Sequence, residues 1–348
     1  MVTSSIGACS TAKPLEVIIV DVGHGNCAIV RDGLKSTIVD IPRGKPVISA
    51  LVNNKCHQIE HLLLSHPDED HIGGAARLLA DPDVNIANFW CNPSAIHDTE
   101  TYLDLVEQAA LREDQRKTRY RSNLNVGTRE DLNFERVSIE VLHPDMRFAG
   151  IGQTPRRHKL GEIPSNRMSA VLRVSLAGAP AVLLAADIDD KGFEAIVRRG
   201  VDLQAPVLVF PHHGGSAKGG DDRDFARRVC EYVQPRLVVF SLGRHKYKNP
   251  LPQVLAGVKD AVPSAHIACT QISKHCHARD AVSGSAAHLS PSWPSAGRAK
   301  GESCAGTIVV RAGNNGDIVY YPAQSEHGRF VIQNLDAPRC LGAPRAMG

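Results

Sequence analysis

At 348 residues with 43% hydrophobic content, the chain is long enough to bury a full core and to form one large domain with additions. Its formal charge of +3 is mild, which excludes a global nucleic-acid-binding signature, and no apolar run reaches the ~20 residues that span a bilayer. The start from Met1 to Cys9 lacks the charged opening and long apolar region of a signal peptide, so the expectation is a soluble, cytoplasmic protein.

From about Leu15 to Leu142 the chain reads as strands alternating with helices. The run His61-Leu62-Leu63-Leu64 predicts a buried strand that stops at Ser65, and Gly73-Gly74 followed by Ala75-Ala76-Arg77-Leu78-Leu79 predicts the start of a helix. Between them lie four metal-ligating side chains in six residues: His66, Asp68, Asp70 and His71. His66 and Asp68 alternate in an extended backbone and point the same way, while the adjacent Asp70 and His71 splay toward a second metal position. Imidazole with carboxylate suits zinc, manganese or iron(II), so the loop reads as a dinuclear hydrolase site. A helical stretch from Thr99 to about Arg121 follows, carrying Leu103, Val106, Ala110 and Leu111 at helix-compatible spacing. Arg112 to Arg129 and Arg156-Arg157-His158-Lys159 are locally basic and read as solvated faces. Phe148 to Asn166, rich in glycine, proline and arginine, is expected to overhang the site.

Residues Ser169 to Phe240 repeat the strand-then-helix alternation. The apolar strand Ala181-Val182-Leu183-Leu184 delivers Asp187 near its end. Two metals ~3.5–4 Å apart need a shared ligand, and a carboxylate has two oxygens, so Asp187 is the bridging candidate; the competing role is helix N-cap. The strand from Ala205 to Phe210 delivers His212 and His213 at its carboxyl end, His213 favoured as the ligand and His212 as a substrate-contacting group. After Leu237 to Ser241 comes a basic loop, Gly243 to Pro250. Here Arg244, His245, Lys246 or Lys248 would offset a developing oxyanion, and Asn249 would bond a phosphoryl oxygen. The candidate catalytic set is Asp70, His212, Lys246 and Asn249.

Ser, Ala, Gly and Pro dominate Arg279 to Ser303, which reads as a mobile tract at 279–303. Beyond it, Gly306 to Arg311 and Asp317 to Tyr321, separated by Asn314-Asn315-Gly316, predict a hairpin. The nine cysteines read as reduced thiols, with Cys27, Cys91 and Cys230 packing among apolar residues. Cys269, Cys276, Cys304 and Cys340, with His275 and His277 nearby, offer a structural zinc site without a CxxC knuckle; free thiols are the other reading.

His66-Pro67-Asp68-Glu69-Asp70-His71 resembles the HxHxDH signature of the metallo-β-lactamase superfamily, with Asp68 at the place of the usual second His. That variant, with Ile72-Gly73-Gly74 after it, is similar to the hydrolase domain of the competence protein ComEC and its free-standing relatives. Four further stretches are similar to the family's motifs in family order. They are Val20 to Val30 for the opening strand and glycine turn, Ser165 to Leu172 for N-x-x-S, Leu183 to Ile188 for L-x-x-x-D-I, and Val209 to Ser216 for P-H-H-G-S. Ser36 to Asp40 corresponds to the strand ending in Asp beside the metal loop. The basic loop departs from the family: Lys248-Asn249 stand where Gly-His is usual, and Asn cannot shuttle a proton.

The resemblance implies an α/β fold, an αββα sandwich with a C-terminal β-hairpin extension, in which residues 1–262 form the hydrolase domain and 263–348 complete or flank it. It implies two divalent ions, Zn or Mn, held by His66, Asp68, Asp70, His71, Asp187 and His213. It also implies a phosphodiesterase or nuclease acting on nucleic acid or a nucleotide. The alternatives are hydrolysis of another ester, thioester or lactam bond, or a metal-holding binding protein without catalysis.

Overall fold

Every residue of β1 (Leu15–Ile19) is buried, but on two sides: Leu15, Val17 and Ile19 turn into one apolar layer and Ile18 into another. A strand buried on both faces needs a layer against each. A computed structural model describes residues 14–54, 56–94, 96–155, 162–279, 281–282, 286–313 and 315–341. The basic run at 156–159 lies outside them.

The remaining strands are β2 (Ala28–Asp32), β3 (Lys35–Val39), β4 (Gln58–Leu64), β5 (Asn85–Cys91), β6 (Arg119–Arg121), β7 (Val137–His143), β8 (Val171–Leu176), β9 (Ala179–Leu184), β10 (Val207–Val209), β11 (Leu237–Phe240), β12 (His266–Cys269), β13 (Ile308–Ala312) and β14 (Ile318–Tyr321). They build an eight-stranded sheet in the order β14-β13-β1-β2-β3-β4-β5-β6 and a six-stranded sheet in the order β12-β11-β10-β9-β8-β7. Val17, Ile19, Val30, Leu63 and Trp90 of the first sheet meet Leu172, Val182, Leu184, Val207 and Val239 of the second in the central layer. On the outer face of the first sheet, Leu62, Leu64 and Phe89 pack against Leu51, Leu78 and Leu105 from three helices. On the outer face of the second, Leu183, Leu208 and Val238 share a cluster with Phe193, Phe225, Val254 and Phe330 from four more. The layers are helix, sheet, sheet, helix, as the resemblance implied.

The predicted C-terminal hairpin forms: β13 pairs antiparallel with β14, Ala312 opposite Ile318, and also with β1, Val310 opposite Val17. Two expectations are corrected. The helix begins at the predicted place, with Thr99 capping it through its side chain, but runs only from Glu100 to Asp114, and Arg119–Arg121 is strand β6. Its buried face is Tyr102, Leu105, Ala109 and Arg112, one residue out of phase with the predicted one; Leu103, Val106 and Leu111 are exposed. Of the tract expected to be mobile at 279–303, residues 280 and 283–285 lie outside the described residues, and the part from 286 packs: Leu289 and Trp293 are buried, and Ala296 and Gly297 donate backbone hydrogen bonds to Asp21. Its small polar residues serve as bonding partners of a buried carboxylate. Among the described residues no helix is long and apolar enough to cross a membrane.

What positions the site is strand direction. β3 through β6 run parallel in one sheet and β9 through β12 in the other. Ala170 N donates to Ser65 O (2.9 Å), joining the two sheets at the carboxyl end of β4.

Candidate metal centre

Three histidines converge with one nitrogen each held from behind. His66 Nδ1 lies 3.0 Å from Ser65 Oγ, His71 Nδ1 2.7 Å from Asp40 Oδ2, and His213 Nδ1 2.7 Å from Ser241 O. An Nδ1–H engaged this way leaves Nε2 as the lone-pair nitrogen. All three Nε2 atoms, with Asp187 Oδ1, are buried and make no hydrogen bond. His71 Nε2 stands 3.2 Å and His213 Nε2 3.5 Å from that same Asp187 oxygen, at contact distance without hydrogen-bond geometry.

Among the described residues two clusters bring three ligand atoms within 4.8 Å of one another: His66, His71 and Asp187, all buried, and His24, Asp70 and His213, partly open. Asp68 lies beside the first, its Oδ2 3.6 Å from His66 Nε2 and its Oδ1 accepting from Ser165 Oγ (2.6 Å) and close to His97 Nε2 (3.3 Å). Asp187 is free for this position because Asp189 caps the following helix, accepting from Gly192 N. Four non-glycine residues around the centre hold left-handed backbone: Asp40 (φ 58°), Ala186 (47°), His212 (52°) and His213 (55°). Strain of this kind persists where the surroundings impose it, as at binding sites.

The electrostatics are those of tightly paired opposite charges. Burial opposes ionisation of Asp187, yet His213 and His71 hold its carboxyl well below the usual range. Burial likewise works against Asp70 and Asp68, and the imidazoles of His213 and His24 beside the first, and of His66 and His97 beside the second, keep both below it. His71 resists burial through the attraction of Asp187 and Asp40 and is raised well above an ordinary histidine.

The centre lies at a cleft of about 400 Å3 lined in part by His24, Asp68, Asp70, Asp187, His212 and His213. Asn166, Ser216, Lys218, Tyr247 and Asn249 complete much of its wall. Of the predicted catalytic set, Asp70, His212 and Asn249 line this cleft. His212 Nδ1 lies 2.9 Å from Asp187 Oδ2 and 3.0 Å from Asn166 Nδ2. Lys246 does not line it; the residue is exposed, its Nζ 5.9 Å from the Tyr247 ring centre. Arg244 is buried and spends its guanidinium on the carbonyls of Ile272 and His277, and His245 pairs with Glu302. The cation on the wall is Lys218, which sequence reading passed over because it stands alone after the glycines at 214 and 215. The supporting partners Asp40, Ser65 and Ser241 carry no motif of their own, apart from the strand-ending Asp of the resemblance.

The structural zinc expected among the C-terminal cysteines is not assembled: no cysteine enters either ligand cluster among the described residues. Cys304 Sγ instead lies 3.2 Å from His327 Nε2, and Cys276 Sγ accepts from Arg339 N. Burial raises the thiol pKa of both, and that of Cys304 is raised further by the neighbouring Cys340 and Cys276. His277 pairs with Asp336.

No family model matches the chain. It is 26% identical to competence protein ComA of Neisseria gonorrhoeae over 244 residues, covering 68% of this chain and 28% of that protein. It is also 26% identical to ComE operon protein 3 of Bacillus subtilis (strain 168) over 216 residues, covering 61% of this chain and 24% of that one. The chain thus spans about a quarter of the length of these curated relatives. Among solved structures it is similar to the metallo-β-lactamase fold protein YhfI of Bacillus subtilis, at 14% identity and a TM-score of 0.47 over 73% of this chain and 95% of that one. It is similar also to Igni18, a metallo hydrolase of Ignicoccus hospitalis, at 17% identity and a TM-score of 0.42 over 73% and 94% of the two chains. The likeness is thus to metallo-β-lactamase fold proteins and, in sequence, to competence proteins of the ComEC type.

Proposed function

We propose that this chain is a dinuclear metal-dependent hydrolase of phosphodiesters, acting on nucleic acid or a nucleotide. The observation that carries the reading is the meeting of His66 Nε2, His71 Nε2, His213 Nε2 and Asp187 Oδ1, all buried and all without a hydrogen bond. A buried polar group left unsatisfied costs about 1–3 kcal/mol. Four at one place cost an amount comparable to a whole domain's stability of roughly 5–15 kcal/mol, unless a cation takes up their lone pairs. The donor set fits zinc or manganese.

His66, His71 and Asp187 would hold one divalent ion and Asp70 with His213 a second, with Asp187 between them and Asp68 beside His66. A divalent cation supplies, when bound, Lewis acidity that lowers the pKa of water and offsets phosphoryl charge. The chain's own residues do the rest. Asp40, Ser65 and Ser241 fix the ring tautomers. Lys218 brings positive charge to a phosphate in the cleft, and the side-chain amides of Asn166 and Asn249 supply hydrogen-bond donors. His212 steadies Asp187 while facing the same cleft. Asn249 bonds a phosphoryl oxygen without transferring a proton. The likeness to competence proteins supports nucleic acid or a nucleotide as the substrate.

Metal content measured together with turnover of bis-p-nitrophenyl phosphate and nitrocefin tests the reading. The expected result is about two equivalents of metal and chelator-sensitive cleavage of the phosphodiester only. Cleavage of nitrocefin alone assigns another bond, bound metal without turnover assigns a binding protein, and absence of metal overturns the centre itself.

A further inference from the structure

We infer that His24, from the glycine turn between β1 and β2, is a protein ligand of the cleft-side metal, so that the two metal positions differ in kind. The inference rests on the metal-holding part of the proposed function and adds a ligand from outside the histidine–aspartate loops. His24 Nε2 lies 3.1 Å from Asp70 Oδ2, which in turn lies 3.3 Å from His213 Nε2. The His24 and His213 rings stand 4.6 Å apart, centre to centre, tilted by 51°. A carboxylate oxygen set between two imidazole nitrogens, one of them buried and unbonded, is the donor set of a transition-metal position.

The turn is built to hold this ring in place. A side chain on Gly25 (φ 124°) would put its Cβ 2.4 Å from Asp70 O, so the turn is pressed directly onto the metal loop. A Cβ on Gly243 would fall 2.4 Å from His24 N, so the loop after β11 closes on the turn from the other side. Ser241 Oγ donates to Gly25 O (2.7 Å), and its backbone carbonyl holds His213, linking both imidazoles to one residue. At the entry to the turn, Asp21 is fully buried. It accepts from Gly23 N and Gln271 Nε2 through one oxygen and from Gly297 N and Ser303 Oγ through the other. A ring needed only to cover the cleft would not require fixing from three sides.

The two clusters differ in exposure. Side chains of His66, His71 and Asp187 are at most 4% exposed, whereas His24 is 13% and Asp70 30% exposed. The inner position has two buried imidazoles and the buried Asp187 carboxylate, with the part-exposed Asp68 beside it; the outer one faces the cleft and depends on His24 for its second imidazole. The outer metal is therefore the exchangeable one.

The test compares wild type with His24→Gln and His24→Ala. Zinc stoichiometry and stepwise affinity are measured by calorimetry on metal-free protein, and the manganese-loaded proteins are examined by electron paramagnetic resonance. Wild type should bind one ion tightly and one more weakly, with a spin-coupled manganese pair. Both variants should keep the tight ion, weaken the second by at least about 100-fold, above the typical loss for a partner that only orients a ligand, and show an uncoupled manganese signal. The Gln variant guards against misfolding, because it can still hydrogen-bond Asp70; circular dichroism should match wild type. Two ions bound to the Gln variant with wild-type affinities would overturn the inference and leave His24 as a group that merely orients Asp70. Failure of wild type itself to bind metal would instead overturn the proposed function.

Discussion

Asp40→Asn removes one charge and keeps the shape. Asp40 is buried, with Oδ1 accepting from Ser65 N (2.7 Å) and Oδ2 accepting from Ser65 Oγ (2.8 Å) and His71 Nδ1 (2.7 Å). An Asn must keep its oxygen toward Ser65 N, so its NH2 replaces Oδ2 and faces His71 Nδ1. The imidazole then has to accept at Nδ1 and carry its proton on Nε2, the nitrogen that points at the metal position. The lost charge-assisted hydrogen bond is worth about 1.5–3 kcal/mol. At about 1.4 kcal/mol per tenfold, metal should bind roughly 10- to 100-fold more weakly. Backbone strain does not confuse the result, because Asp40 has φ 58° and Asn tolerates the left-handed region, whereas Ala would not. Competition with a chromophoric chelator gives the affinity, and circular dichroism confirms the fold. An affinity within about twofold of wild type would refute the claim that Asp40 sets the tautomer of His71.

Three further outcomes are expected. Asp187→Ala should lose most bound metal and all hydrolysis, and two equivalents surviving in that variant would remove Asp187 from the bridging role. Lys218→Ala should raise KM for a phosphodiester substrate and lower its salt slope by about one, while Lys246→Ala changes little; the reverse pattern would place the 243–250 loop, not Lys218, against the phosphate. His143 is fully buried and its pKa is pushed down to about 4 by burial, against the bond of its Nε2 to Arg167 O. The ring stays neutral in the fold, while the unfolded chain takes up a proton below about pH 6.5. Stability present above that value is therefore lost as pH falls toward about 4, by about 2 kcal/mol near pH 5. Urea unfolding at about pH 7 and 5 should show wild type losing about 2 kcal/mol more than His143→Gln, in which the other buried histidines still titrate; equal losses in both would refute it.

The residues that sequence reading brought together share one property: each follows an apolar run that becomes a strand. Leu62 to Leu64 precede His66, Val182 to Leu184 precede Asp187, and Val207 to Val209 precede His213, and parallel strands deliver their carboxyl ends to one edge. Local pattern therefore carried the convergence. Phase and partner choice were less legible. On the helix at Glu100–Asp114, Leu103 and Val106 compete with Tyr102 and Leu105 for the buried face; apolar count does not decide between them, because Arg112 is buried and donates to Val84 O. Lys246 and Lys248 drew attention by density, yet a lone Lys218 holds the wall of the cleft. The Ser- and Gly-rich stretch near Ser303 reads as mobile until its partner Asp21, 282 residues away, is known.

That last pairing explains why the outer half of the centre was the hardest part to read. Asp70 and His71 are neighbours in the chain, but they face different clusters, and what separates them is support from distant segments. His71 is held by Asp40, 31 residues earlier, through a bond that the strand-ending motif foreshadowed. Asp70 is met by His24 and His213, and the turn bearing His24 is pinned by Asp21, whose partners Gln271, Gly297 and Ser303 lie in the final quarter of the chain. No local pattern encodes a site whose geometry closes only when the last strands pair with the first. On this basis Asp21→Ala, which leaves every imidazole and carboxylate of the two clusters in place, should free the His24 turn and weaken the second metal while sparing the first. Equal weakening of both ions would mean that Asp21 supports the sandwich as a whole and not the turn.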